Sequence, residues 1–150
     1  MKVKELMTKP AHTITEDTPL RMVNQLMQRY HLNDLVVVNE NYEVKGIITY
    51  SDLYRLILPT YVEVMEDETI WLLPETVEEK IANLIDKPVK SVMTKDVFTV
   101  SPSELIVKAG AMMSAKKIKQ VPVVKNNKLI GILSYRDILW GFLIKNCKFL

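Results

Sequence analysis

Two short segments carry the residue types best placed to do chemistry: Thr49-x-x-Asp52 and Ser134-x-x-Asp137. Each closes a strand-like run that begins at Gly46 or Gly131 and opens a helix. A hydroxyl followed three positions later by an acid resembles a capping box, although that motif prefers Glu or Gln. The same atoms also have a binding reading. A hydroxyl and free N–H groups at a helix start suit phosphate, and a carboxylate in the first turn accepts hydrogen bonds from a ribose diol. The Val, Ile and Leu of the preceding strands would offer an apolar slot for a flat base. One match alone signifies little; two at equivalent places signify more.

Equivalence follows from an internal repeat. Val3-Lys4-Glu5-Leu6-Met7-Thr8 returns 86 positions later as Val89-Lys90-Ser91-Val92-Met93-Thr94. Thr13-Ile14 answers Thr99-Val100, Met27 answers Met113, and Val37-Val38 answers Val123-Val124. After the loss of one residue in a turn, Gly46 to Leu53 answers Gly131 to Ile138 at an offset of 85. Leu20, Val23, Leu26, Met27 and Tyr30 recur at helical spacing behind Thr18-Pro19, predicted to be a Thr cap and a first-turn Pro; Ile106, Ala109, Met112 and Met113 form the matching stripe. Leu35 to Val38 and Val44 to Thr49 flank the turn Asn39-Glu40-Asn41, and Val121 to Val124 and Leu129 to Ser134 flank Asn126-Asn127, predicting two hairpins. A second amphipathic helix follows each. The predicted fold class is α/β (α+β), two strand-helix-strand-strand-helix units paired about a pseudo-two-fold axis, because one such unit is too small to bury a comfortable core alone.

The expected organisation is a first repeat at 1–58, an acidic connector at 59–88 with a helix begun by Pro74-Glu75-Thr76, and a second repeat at 89–150. The connector carries −6 and the repeats +8, within a formal net charge of +2, so the repeats favour an anionic ligand. Tyr61, Ile70, Trp71 and Leu72 look able to dock on a repeat or a second subunit.

Other chemistry finds little footing. Cys147 is the single cysteine, so no internal disulfide or zinc cluster forms, and a reducing, cytoplasmic setting is expected. No apolar run is long enough to span a membrane. His12 and His31 lack metal-binding company, Ser101, Ser103 and Ser114 lack a nucleophile setting, and no P-loop is present. The eight Met residues read as pliable core, and Lys116, Lys117 and Lys119 as a solvated helix end that could border an anionic ligand. Nucleic acid is an unfavoured partner, because no recognition motif accompanies the basic charge.

With Met7-Thr8 and Met93-Thr94 opening the copies, the hydrophobic hairpins, and Gly-x-x-[Thr/Ser]-x-x-Asp closing them, nearly the whole chain resembles a tandem pair of cystathionine-β-synthase-type (CBS) domains, the Bateman module. The resemblance implies a sensor of adenosine compounds such as AMP, ADP, ATP or S-adenosylmethionine, bound in clefts between repeats, with no catalysis and no required cofactor. It implies Asp52 and Asp137 on ribose hydroxyls, Thr49 and Ser134 on phosphate, and Thr13, Ile14, Thr99 and Val100 beside the base. Val36-Val37 and Pro122-Val123 would form a further wall, the first copy lacking the family's proline. Arg136, where the first copy has Ser51, can pair with phosphate and makes the Ser134–Asp137 site the expected tighter one for phosphorylated ligands. A homodimer and an effector protein supplied in trans are the expected partners. The competing expectation is a dimerisation module whose ligand sites are vestigial; under either reading the apolar helices after each hairpin, including Trp140, Phe142 and Leu143, would form the interface.

Overall fold

A computed structural model describes residues 1–58, 65–66 and 74–145. The predicted docking residues Tyr61, Ile70, Trp71 and Leu72, and Cys147, lie outside the described residues. The elements are β1 (Thr13–Ile14), α1 (Leu20–Tyr30), β2 (Asp34–Val38), β3 (Val44–Thr49), α2 (Tyr50–Ile57), α3 (Pro74–Leu84), α4 (Ile106–Ala115), β4 (Gln120–Lys125), β5 (Lys128–Ser134) and α5 (Tyr135–Trp140), the last running into a π-helical turn at Gly141–Lys145. Short 3-10 turns at Val3–Glu5 and Val89–Ser91 open the two copies. β1, β2 and β3 form one sheet in that order, and β4 and β5 a second. The fold is mixed α+β, as the periodicities predict. One element falls short: the first strand of the second copy is a single parallel bridge from Val100 to Val123.

The chain forms two compact units whose boundaries cross those of the sequence repeats. One unit comprises Met1–Thr13, Val38–Lys45 and Asp96–Leu150; the other comprises Ile14–Val37 and Gly46–Lys95. In the first unit Val3 and Leu6 are buried with Val100, Ile106, Ala109, Met113, Val121, Val123, Leu133 and Ile138. In the second, Val89 and Met93 are buried with Ile14, Leu20, Val23, Met27, Leu35, Val37, Ile48 and Leu53. The opening segment of each copy thus completes the core of the other copy's helices and hairpin.

Matching hydrogen bonds hold the two segments. Thr8 and Ile132 exchange N–H···O=C bonds of 2.8 and 3.0 Å, and Thr94 and Ile47 do the same at 2.9 and 3.0 Å. This is the structural reason for the two recurrent sequence marks. A Cβ on Gly131 would stand 2.9 Å from the Thr8 carbonyl oxygen, and one on Gly46 would overlap the Met93 side chain, so the Met-Thr segment can lie on the strand only where no side chain intervenes. The same segments also serve the helix starts. Leu20 N–H donates to the Lys87 carbonyl at 3.0 Å and Ile106 N–H to that of Met1 at 3.1 Å. Pro19 is therefore the N-cap, and the predicted Thr18 cap is not made: the Thr18 hydroxyl accepts from Thr15 N–H at 3.2 Å instead. Backbone acceptors carried in by the exchanged segment displace the local side chain from that role.

Candidate functional site

At both helix starts the capping box is formed. Thr49 Oγ1 accepts from Asp52 N–H at 3.1 Å and Asp52 Oδ2 accepts from Thr49 N–H at 2.9 Å. Ser134 Oγ accepts from Asp137 N–H at 3.2 Å and Asp137 Oδ2 accepts from Ser134 N–H at 2.7 Å. Both pairs are part-buried, so the shorter Asp performs the role usually given to Glu. Capping leaves capacity over, because a hydroxyl has a donor besides its accepting lone pairs and a carboxylate has a second oxygen. The spare capacity differs. Asp52 Oδ1 lies 3.3 Å from Arg55 Nη2, whereas Trp140 occupies the matching place beside Asp137 and its Oδ1 takes no described hydrogen bond. Conversely, the Ser134 hydroxyl lies 2.7 Å from Asp137 Oδ2 and donates to it, while the Thr49 hydrogen is free of any described acceptor.

Strand alternation sorts the remaining candidates into two sets. Ile14, Val37, Val100 and Val123 belong to the two cores, which leaves their backbone as the part able to meet a ligand. Thr13, Val36 and Pro122 alternate with them and take the opposite faces of their strands, the faces that carry Thr49 on β3 and Ser134 on β5, and Thr99 immediately precedes the Val100 bridge. Val36 and Pro122 are buried, Thr99 is exposed, and the Thr13 hydroxyl lies 3.5 Å from that of Tyr42. Val100 N–H donates to the Pro122 carbonyl at 3.1 Å, and Pro122 opposes Ile132, two residues before Ser134. Two strand residues span about 7 Å. Arg136 is exposed in the first turn of α5.

Asp34, which precedes the predicted run Leu35 to Val38 and opens β2, joins this set. Tyr50 N–H donates to the Asn33 carbonyl at 2.9 Å, repeating the 3.0 Å bond from Tyr135 to Lys119. In the second hairpin that register sets Gln120 opposite Ser134, so it sets Asp34 opposite Thr49. Asp34 is half-buried, and among the described residues its carboxylate has neither a hydrogen-bond nor an ion-pair partner. Burial alone pushes its pKa up to about 6. The 86-residue offset, which aligns it with Gln120, is the signal that could have found it.

A family model described as the CBS domain matches residues 3–59 and 89–143. The chain belongs to the CBS domain family. An uncharacterized protein of Methanocaldococcus jannaschii, MJ1426, is 30% identical over 93% of this CBS pair and 89% of its own length. The chloride channel protein CLC-f of Arabidopsis thaliana is 27% identical over 95% of the pair, which spans only 18% of that channel. Among solved structures, CBSX2 in complex with AMP superposes with a TM-score of 0.71 at 22% identity, covering 93% and 94% of the two chains. The CBS domain pair of protein MJ0100, in complex with 5′-methylthioadenosine and S-adenosyl-L-methionine, gives 0.68 at 23% identity, covering 94% and 96%. These likenesses are of fold. Among the described residues no helix is long and apolar enough to cross a membrane, and no group of His, Cys, Asp or Glu is arranged to hold a metal.

Proposed function

We propose that this CBS pair is a regulatory module that binds adenosine compounds and does no catalysis. The observation carrying the reading is the duplicated constellation: in both copies a capped hydroxyl–carboxylate pair sits at a helix start, on the strand face that also holds Val36 or Pro122. The AMP bound to CBSX2 and the thioether and sulfonium nucleosides bound to the MJ0100 pair support the ligand class. Asp52 and Asp137 would accept from ribose hydroxyls, and Thr49, Ser134 and Arg136 would meet the 5′ substituent. The regulatory step is differential binding, which shifts the pair toward whichever arrangement holds the ligand better and by no more than that difference. A homodimer in the cytoplasm acting on an effector protein in trans completes the reading.

Calorimetry and thermal unfolding of protein stripped of bound nucleotide, with AMP, ADP, ATP and S-adenosylmethionine, test it. A ligand at about a hundred times its Kd adds about 2.7 kcal/mol, a rise in Tm of roughly 5–10 °C for a chain of this size. No saturable response to any of the four would refute the proposal. It would leave a dimerisation module with vestigial sites, whose interface the exposed Trp140, Phe142 and Leu143 would supply as they would for the sensor.

A further inference from the structure

Equivalent positions around the two capping boxes differ in charge. The second copy carries Lys116, Lys117, Lys119 and Arg136 where the first has Tyr30, His31, Asn33 and Ser51, while in the first copy Arg55, bound to Asp52, answers Trp140. The Lys119 and Asn33 carbonyls bind the first helical N–H beyond each box, Lys117 and His31 occupy matching left-handed positions at φ 55° and 53°, and Lys116 Nζ lies 5.2 Å from the Phe98 ring centre, one residue before Thr99. The cross-strand neighbour of the hydroxyl also differs, being Gln120 for Ser134 and Asp34 for Thr49.

Directly opposed residues hold their Cβ atoms about 5 Å apart on one face of a sheet. A phosphate held by Thr49 would therefore lie against the Asp34 carboxylate, while one held by Ser134 would meet the neutral amide of Gln120. Asp34, half-buried and without a partner among the described residues, points the same way, because a desolvated carboxylate gains most from a cation or a strong donor brought by a ligand.

We propose that the two sites take different adenosine compounds: the Ser134–Asp137 site one bearing phosphate, and the Thr49–Asp52 site one without phosphate whose 5′ substituent is positively charged, as in a sulfonium nucleoside. The proposal rests on the adenosine-binding reading and adds to it which residue sorts the ligands. Asp34 excludes phosphate from one site, and Arg136 draws it to the other. The pair then reports on two ligands at once, and each site stays open to its own compound when the other is scarce.

Titration calorimetry of the whole chain, stripped of nucleotide, with AMP, S-adenosylmethionine and uncharged 5′-methylthioadenosine tests this on wild type, Asp34→Asn and Arg136→Ser. Asp34→Asn should weaken S-adenosylmethionine by about tenfold, alter 5′-methylthioadenosine by less than about threefold, and raise AMP stoichiometry from one site toward two. Arg136→Ser should weaken AMP by about tenfold and leave S-adenosylmethionine within about twofold. Wild type that binds the nucleosides, with selectivity unmoved by either substitution or with both nucleosides weakened equally by Asp34→Asn, overturns the assignment and leaves the adenosine reading standing. Wild type that binds none of the three overturns both. Asp34→Gln, which reproduces the second copy's pairing, guards against a folding effect peculiar to Asn.

Discussion

The first and second copies share a scaffold down to single hydrogen bonds, yet they differ at nearly every side chain around the capping box. Thr8 and Thr94, Leu20 and Ile106, and Tyr50 and Tyr135 make equivalent backbone bonds within 0.1 Å of each other. At the boxes, by contrast, Asp52 is tied to Arg55 where Asp137 is not, Ser51 replaces Arg136, and Asp34 replaces Gln120. The lesson is about which constraints are shared. Backbone bonds and close-packed cores tolerate little variation in either copy, whereas positions flanking the box are half-exposed and free to take opposite charge.

The first way to break this comparison is to strain the shared scaffold. Gly131→Ala should cost about 2–3 kcal/mol in urea unfolding, because its Cβ would press on the Thr8 carbonyl, a backbone atom, whereas Gly46→Ala should cost about 1 kcal/mol, because the Met93 side chain can turn aside. Equal costs would mean that the Met93 side chain yields no more readily than the Thr8 carbonyl.

A smaller effect isolates the charge difference. With a folded pKa of about 6 against 3.8 for a free Asp, ionising Asp34 opposes folding; the cost is absent below about pH 4, grows as pH rises to 6, and is full above that. The shift corresponds to at most about 3 kcal/mol, and partial exposure reduces this to roughly 1–2. Asp34→Asn should therefore stabilise the ligand-free protein by that amount at pH 7 and by nearly nothing at pH 4, as denaturant titrations at the two pH values would reveal. Gln120→Asn, its counterpart, should show no such pH dependence.

The smallest expected effect lies in the caps themselves. Thr49→Ala and Ser134→Ala should each cost about 1 kcal/mol of stability by thermal or urea unfolding. Near-equal values would place the difference between the boxes in ligand contacts rather than in helix capping.

Much of this was legible in one dimension. The hairpins fall where β-branched runs flank Asn-rich turns, and the boxes sit where a hydroxyl precedes an acid by three residues, because both features depend on neighbours close in sequence. Thr18 misled for a related reason: a local cap is the default until a distant backbone carbonyl, here that of Lys87, arrives at the helix start. The four core residues among the predicted wall and base contacts, Ile14, Val37, Val100 and Val123, were read as pairs with their neighbours, and only the pleat separates the face that each takes.

The amino-acid order by itself determined that the chain is a duplicated α+β unit with a hydroxyl–carboxylate pair at each second helix, since periodicity and repeat spacing are properties of the string. Tertiary structure decided that Val3 and Leu6 join the second copy's core and Val89 and Met93 the first copy's, and that Asp34 stands opposite Thr49. Both depend on strand register and on contacts between residues far apart in the chain, and such contacts are set by which apolar faces can be closed together, a competition that no local pattern records.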